Sequence, residues 1–321
     1  MLSEEIQKEY AHRRYMMYLH NDVEKFREIL QAASESLSIE MDIVEKDYYA
    51  YLLLRALHEE NSLFVFRGGT SLSKCYHAIH RFSEDIDLSV HADHLTQLQR
   101  EGIEEAIKQA LANLNLPLLN GEGTRSRQEF NRYETCFDSV LPLQAVSSNI
   151  AIKTFVPINP FPVATHEVGS YVGKFLSEEG HAEILQSYSL QPFGMLVQEI
   201  ERTFVDKVFA LCDYYLAHDV AKHSRHIYDI AQILPVVQKK DKREIRRLIA
   251  EVRQVREVLP KCISARFGVD ITETLQKIVD EEVFRKDYEK LTIPLLCEPV
   301  PYNKAVEALQ TIIDERLFDK F

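Results

Sequence analysis

Residues 66–90, FRGGTSLSKCYHAIHRFSEDIDLSV, constrain the fold more than any other stretch of the chain. The run SLFVFR is rich in β-branched and aromatic residues and is halted by Gly68-Gly69, and DIDLSV alternates acids with apolar side chains, so both predict strands. The intervening TSLSKCYHAIHRF is long enough for a helix of about three turns. On a strand, residues two apart share a side, so Asp85 and Asp87 aim both carboxylates at one point while Ile86 and Leu88 face the core. Like charges held so close repel unless they are neutralised. A hard divalent cation, Mg²⁺ or Mn²⁺, neutralises them and keeps positions open for water and phosphate oxygens. A solvated acid pair on an edge strand is the alternative reading. Gly68 and Gly69 permit close approach of a ligand to the backbone, and the helix behind them offers free N–H groups to an anion, with Thr70 and Ser71 adding hydroxyl donors. The spacing matches neither a P-loop nor a dinucleotide-binding fingerprint.

Around this stretch the pattern is mixed. Residues 4–60 contain three runs with apolar residues three and four apart, EEIQKEYAHRRYMMYLH, DVEKFREILQAASESLS and MDIVEKDYYAYLLLRALHEE, which predict three helices. A further amphipathic helix is predicted at 99–114, followed by strands in RYETCFDSV and SNIAIKTFV. The Pro-rich VPINPFPVATHEV predicts a loop, and from about residue 197 the chain turns helical in period, in VQEIERTFVDKVFALCDYYLAH, AKHSRHIYDIAQILPVV, DKREIRRLIAEVRQVREVL and KAVEALQTIIDERLF. The expected division is an N-terminal helical segment at 1–60 packed on a core at 61–195, then a helical domain at 196–321. The predicted class is α+β, a small mixed sheet flanked by helices.

Length and charge narrow the function. A chain of 321 residues predicts two packed units. Its formal net charge of −12 opposes sequence-independent nucleic-acid binding over the whole surface, so any such contact must be local. The only dense basic run is KKDKREIRRL at 239–248, which fits either an RNA grip or a solvated helix face. Five scattered cysteines without a C-x-x-C pair signal neither a disulfide framework nor zinc and suit a reducing cytoplasm. The charged first turn and the lack of a long apolar run predict a protein neither exported nor membrane-spanning.

The segment FRGGTSLSK…RFSEDIDLSV resembles the nucleotidyltransferase core of the AbiEii/AbiGii toxin family, within the polymerase-β-like superfamily. EKDYYAYLLLRAL at 45–57 is similar to the family's N-terminal signature, ERTFVDKVFAL at 201–211 to its lysine motif, and SRHIYDIAQIL at 224–234 to its last motif. The resemblance implies an enzyme that moves NMP from an NTP to a hydroxyl with loss of pyrophosphate, in a toxin–antitoxin or phage-defence setting. Its implied partners are NTP, tRNA or another RNA as acceptor, and a cognate antitoxin. Carried over by residue, it implies that Gly68, Gly69, Thr70 and Ser71 hold the triphosphate, that Ser83 belongs to the nucleotide site, and that Asp85 and Asp87 ligate Mg²⁺ or Mn²⁺. Lys207 would reach the phosphates, and Asp229 would position the metal or accept the acceptor's proton.

Plainer readings stand beside these. Lys207 fits the polar face of its helix, Asp229 fits a pair with Arg225 one turn earlier, and Arg81 and Ser83 fit structural roles. Tyr228 reads as core, and Glu45 and Asp47 fit a salt-bridged helix face. His77 and His80 read as the exposed side of the helix behind the glycines. The strand NIAIKTF offers Lys153 where the superfamily commonly carries a third acid; Asp229 is the first substitute and Asp138 the second. Two alternatives stay open: nucleotidylation of a protein side chain, which an acidic surface with one small basic patch suits, and a non-catalytic binding partner that kept the fold, which Lys153 supports.

Overall fold

The computed structural model describes residues 18–83, 85–90, 97–121, 130–155 and 160–319. The first predicted helix lies almost wholly outside them. The chain divides into two compact units, one of residues 1–66, 84–156 and 165–196, the other of residues 67–83, 157–164 and 197–321.

The first unit carries α1 (Val23–Leu37) and α2 (Met41–Glu60), both where the periodicity places them. Asp22 caps α1 by accepting from the Lys25 amide at 3.2 Å, and Ser38 ends it in the left-handed region. α2 is buried on nearly all sides, by Val44, Tyr48, Leu53 and Leu57 among others, which is the behaviour of a helix inside a core. Glu59 pairs with Arg55 one turn earlier, and the acids nearer the start of the helix bond to loops. Glu45 accepts from the Ser139 hydroxyl and the Val140 amide, Asp42 from the amides of Gln144 and Ala145, and Asp47 from the Tyr171 amide. They anchor the loop at 139–145 and the start of the helix at Tyr171 by taking up backbone and hydroxyl donors.

The sheet has six strands in the order β3-β4-β2-β1-β6-β5. These are β1 (Phe64–Arg67), β2 (Ile86–Val90), β3 (Phe130–Cys136), β4 (Asn149–Phe155), β5 (Val163–Val168) and β6 (Phe193–Gln198). β4 pairs parallel with β2 and antiparallel with β3, so the sheet is mixed and the fold is α+β, as predicted. β5 corrects the expected loop: it is the last strand in the order, and an edge strand tolerates neighbouring prolines because one row of its amides needs no ladder partner. β6 also extends to Gln198, past the point where helical period was expected to begin. α4 (Gln97–Asn113), α5 (Tyr171–Glu178) and α6 (Ala182–Ser187) complete the described helices of this unit, the last two unpredicted.

The second unit opens with α3 (Gly68–Lys74), shorter than predicted. His77 adopts φ of 49° just beyond it, and the chain then runs extended so that Arg81 bridges Leu296 and the Cys297 amide donates to the His80 carbonyl at 2.9 Å. Tertiary pairing overrides the helical period there. His77 and His80 are exposed, as expected, but lie after the helix and not on it. α7 (Ile200–Leu216), α8 (Arg225–Val237), α9 (Lys242–Glu257), α10 (Ile271–Glu281) and α11 (Tyr302–Asp314) follow. Phe204, Val208, Leu211, Ile227, Ile230 and Leu309 are fully buried in their core, each such side chain contributing roughly 1.5–3 kcal/mol.

Candidate active site

In the first unit, Asp85 and Asp87 stand at the start of β2. Ile86 and Leu88 are fully buried, whereas Asp87 is half-buried, which is the predicted alternation. Parallel pairing sets Asp87 opposite Lys153 of β4. The Lys153 ammonium forms a short ion pair with Asp85 Oδ2. Side chains facing each other across neighbouring strands share a face, so Lys153, Asp87 and Asp85 lie together on one side of the sheet. Asp138, just after β3, is exposed. Among the described residues no group of three or more His, Cys, Asp or Glu side chains is placed to hold a metal. Two carboxylates on one face remain a suitable donor set for Mg²⁺ or Mn²⁺, which commonly takes one or two protein carboxylates and completes its shell with water and substrate phosphates. The residues present fit such an ion.

In the second unit, α3 begins directly at the glycine turn. Gly68 has φ of 79°, a left-handed conformation that favours glycine. A Cβ on Gly69 would lie 2.5 Å from Arg81 Nη2 and 3.1 Å from Ser83 Oγ, so any side chain there must displace the guanidinium. The Ser71 hydroxyl donates to the Gly68 carbonyl at 3.0 Å and the Thr70 hydroxyl to Ser83 Oγ at 2.9 Å. Both residues are buried, so these hydroxyls fix the turn, and the first-turn amides are the groups that α3 offers to an anion.

Arg81, Lys207 and Asp229 meet in the same unit. Arg81 Nε donates to Asp229 Oδ1 at 2.7 Å, Arg81 Nη2 to Oδ2 at 2.8 Å, and Lys207 Nζ to Oδ2 at 2.7 Å. Asp229 is fully buried, Lys207 and Arg81 nearly so. Lys207 therefore does not sit on a polar face, and the bonds to Asp229 come from Arg81 and Lys207, not from the Arg225 of the plainer reading. Burial alone would raise the Asp229 carboxyl, but the two cations outweigh it and hold the group below the usual carboxylate range. Burial lowers Lys207, with Asp229 opposing that shift. Tyr228 is core, as expected, its hydroxyl accepting from the His80 amide at 3.2 Å.

One neighbour of this cluster carried no expectation. His226 lies one turn before Asp229 on α8, and its Nδ1 is buried without a hydrogen-bond partner among the described residues. Burial pushes its imidazole well below the usual histidine value, and the charge of Lys207 pushes the same way. The three-residue spacing from Asp229 was its only visible signal. A second buried cluster is built on Lys207's own helix: Asp206 pairs there with Arg202 and, from outside the helix, with Arg67 and Arg256. The basic run 239–248 begins before α9, and three of its cations meet acids: Lys240 with Glu201 at 2.7 Å, Lys242 with Glu315 at 2.9 Å, Arg247 with Glu251 at 3.7 Å.

Residues 51–313 match the family model described as nucleotidyl transferase AbiEii toxin, type IV toxin–antitoxin system. The chain belongs to that family. This AbiEii-family protein is thus a nucleotidyltransferase toxin of a type IV toxin–antitoxin system. Among solved structures it is similar to MenT4, the nucleotidyltransferase toxin Rv2826c from Mycobacterium tuberculosis, with TM-score 0.57 and 17% identity over 91% of this chain and 90% of that one. JHP933 from Helicobacter pylori matches with TM-score 0.40 and 15% identity, over 83% of this chain and 89% of that one. The MenT4 likeness is one of fold. No curated protein matches the AbiEii-family chain. Among its described residues no helix is long and apolar enough to cross a membrane.

Proposed function

We propose that this AbiEii-family enzyme transfers a nucleoside monophosphate from an NTP to a hydroxyl of an RNA acceptor, with tRNA as that RNA. The observation that carries the reading is the acid pair Asp85 and Asp87 on one face of β2, in a chain of this family. In this reading the pair holds Mg²⁺ or Mn²⁺, which when bound supplies positive charge to the phosphate oxygens around the attacked phosphorus. The first-turn amides of Gly68, Gly69, Thr70 and Ser71 and the Ser83 hydroxyl take the triphosphate. Lys207 adds a point charge toward the phosphates. The acceptor oxygen forms a bond to the α-phosphorus, the bond to pyrophosphate breaks, and the hydroxyl proton leaves to solvent or a neighbouring base. Asp229 is a poor proton acceptor because both its oxygens receive bonds from cations; its part is to position Lys207 and Arg81. A cognate antitoxin that restrains the enzyme, a role in phage defence and a cytoplasmic location belong to the same reading.

A protein acceptor is the second reading, favoured by one observation: Lys240, Lys242 and Arg247 of the basic run are paired with carboxylates, which reduces the charge left for RNA. Incubating the enzyme with each α-labelled NTP, Mg²⁺ and either total RNA or RNA-free lysate separates the two. Label in RNA is the expected result. Label confined to protein would replace the acceptor, and label in neither would overturn the transfer reading.

A further inference from the structure

We propose that Lys153 is the resident counter-ion of the acid pair, holding Asp85 until a metal–nucleotide complex arrives and so keeping the site from binding a bare divalent cation. The inference rests on the reading of Asp85 and Asp87 as the metal-holding acids.

Register and contact carry it. The parallel pairing of β2 with β4 fixes Lys153 opposite Asp87, so the lysine is placed by the sheet and not by a mobile loop. Its ammonium bonds Asp85 Oδ2, and both side chains are more than half withdrawn from solvent, at 19% and 25% exposure. On the other flank, β4 faces β3, where Arg132 lies opposite Lys153 and pairs with Glu134 at 2.8 Å. That arginine has its own carboxylate, and among the described residues Lys153 is directed at Asp85.

The charge balance gives the consequence. Of the two carboxylates, Asp85 already receives a directed hydrogen bond from an ammonium. A bare divalent ion entering between them must break that bond and then lie a few ångströms from a displaced ammonium with no new partner. The repulsion between such charges is of the same order as an ordinary ion-pair energy. A metal–NTP complex changes the balance, because its phosphate oxygens offer the displaced ammonium an anion as it leaves Asp85. Lys153 thus acts as a positioning residue that couples metal entry to nucleotide entry.

The test reads Mn²⁺ binding directly, through loss of the free Mn²⁺ signal in electron paramagnetic resonance, for the full chain without nucleotide. Lys153→Met keeps the length and removes the charge; it is expected to tighten Mn²⁺ by about tenfold or more. Lys153→Arg, which keeps the charge, is expected to stay near wild type. With a non-hydrolysable NTP analogue present, the gap between wild type and Lys153→Met is expected to shrink. Lys153→Gln serves as the second neutral variant if Lys153→Met does not fold. Equal Mn²⁺ affinity in wild type and neutral variants, with binding lost in Asp85→Asn, would overturn the counter-ion role and leave the metal reading standing. Binding unchanged in both Asp85→Asn and Asp87→Asn would overturn the metal reading itself, and this inference with it.

Discussion

Arg81 grips Asp229 with two parallel hydrogen bonds, Nε to Oδ1 at 2.7 Å and Nη2 to Oδ2 at 2.8 Å, and Lys207 adds a third bond to Oδ2. A carboxylate without solvent contact is thereby shared by two buried cations. The arrangement is demanding, since a buried charge that loses its partner costs far more than an exposed one.

Replacing Asp229 with Asn leaves both cations buried without an anion. Equilibrium denaturation at neutral pH is expected to show a loss of about 3–5 kcal/mol. The acid side of the stability profile should change as well. Because the folded carboxyl is held below its unfolded value of about 4, its contribution is full above that pH and is lost as pH falls through the folded value. The variant should lack that part of the acid slope. Wild-type stability and an unchanged slope would show that the cluster carries little weight.

Gly69 tests the close packing beside this pair. Gly69→Ala would place a methyl 2.5 Å from Arg81 Nη2, so the guanidinium must shift; an overpacking penalty of about 1–3 kcal/mol is expected. Gly102, within α4 and with nothing near its Cβ position, supplies the opposite case: Gly102→Ala should raise stability by roughly 0.5–1 kcal/mol. Paired thermal melts decide it. Equal melting temperatures for the two variants would refute the claimed contact.

Much of this was legible in the sequence, and what was missed has physical causes. A period of two marked the acid pair on β2, and an unbroken helical period marked α2 to its ends. The Arg81–Asp229 pair joins residues 148 positions apart, and nothing local announces such a partner. The motif resemblance singled out Lys207 and Asp229, but their burial and mutual bond emerged only with the packing of α7 on α8. Lys153 was visible as an oddity in NIAIKTF; its meaning depended on the β2–β4 register, which is set by tertiary pairing and not by either strand alone. The prolines beside β5 read as loop, and the α3 segment reads longer than it is because Ile79 and the residues near it satisfy a helical period while pairing as extended chain.

The histidines predict a second pH response, in the neutral to acid range. Burial lowers His20 to about 4, where its Nδ1 lies 3.0 Å from the Tyr48 hydroxyl, and burial lowers His226 as well. For a group whose folded value is depressed, the unfolded chain binds more protons, so stability falls as pH drops below about 6.5. The His20 share of that loss runs down to about 4. Denaturant midpoints at about pH 7, 5.5 and 4.5 for wild type and His20→Gln, which span the interval from the unfolded histidine value to the folded one, measure it, and a slope identical in the two proteins would exclude His20 as the source.

The central claim is that Asp85 and Asp87 are the acids on which nucleotidyl transfer depends. The most direct measurement is the initial rate of label transfer from an α-labelled NTP to the acceptor by wild type and by Asp87→Asn, with folding of both verified by thermal melts. Asp87 is half-buried and has no part in the Arg81 cluster, so the variant should fold, and its rate should fall by about 10² or more through lost transition-state stabilisation. A folded Asp87→Asn protein that transfers label at the wild-type rate would contradict the account.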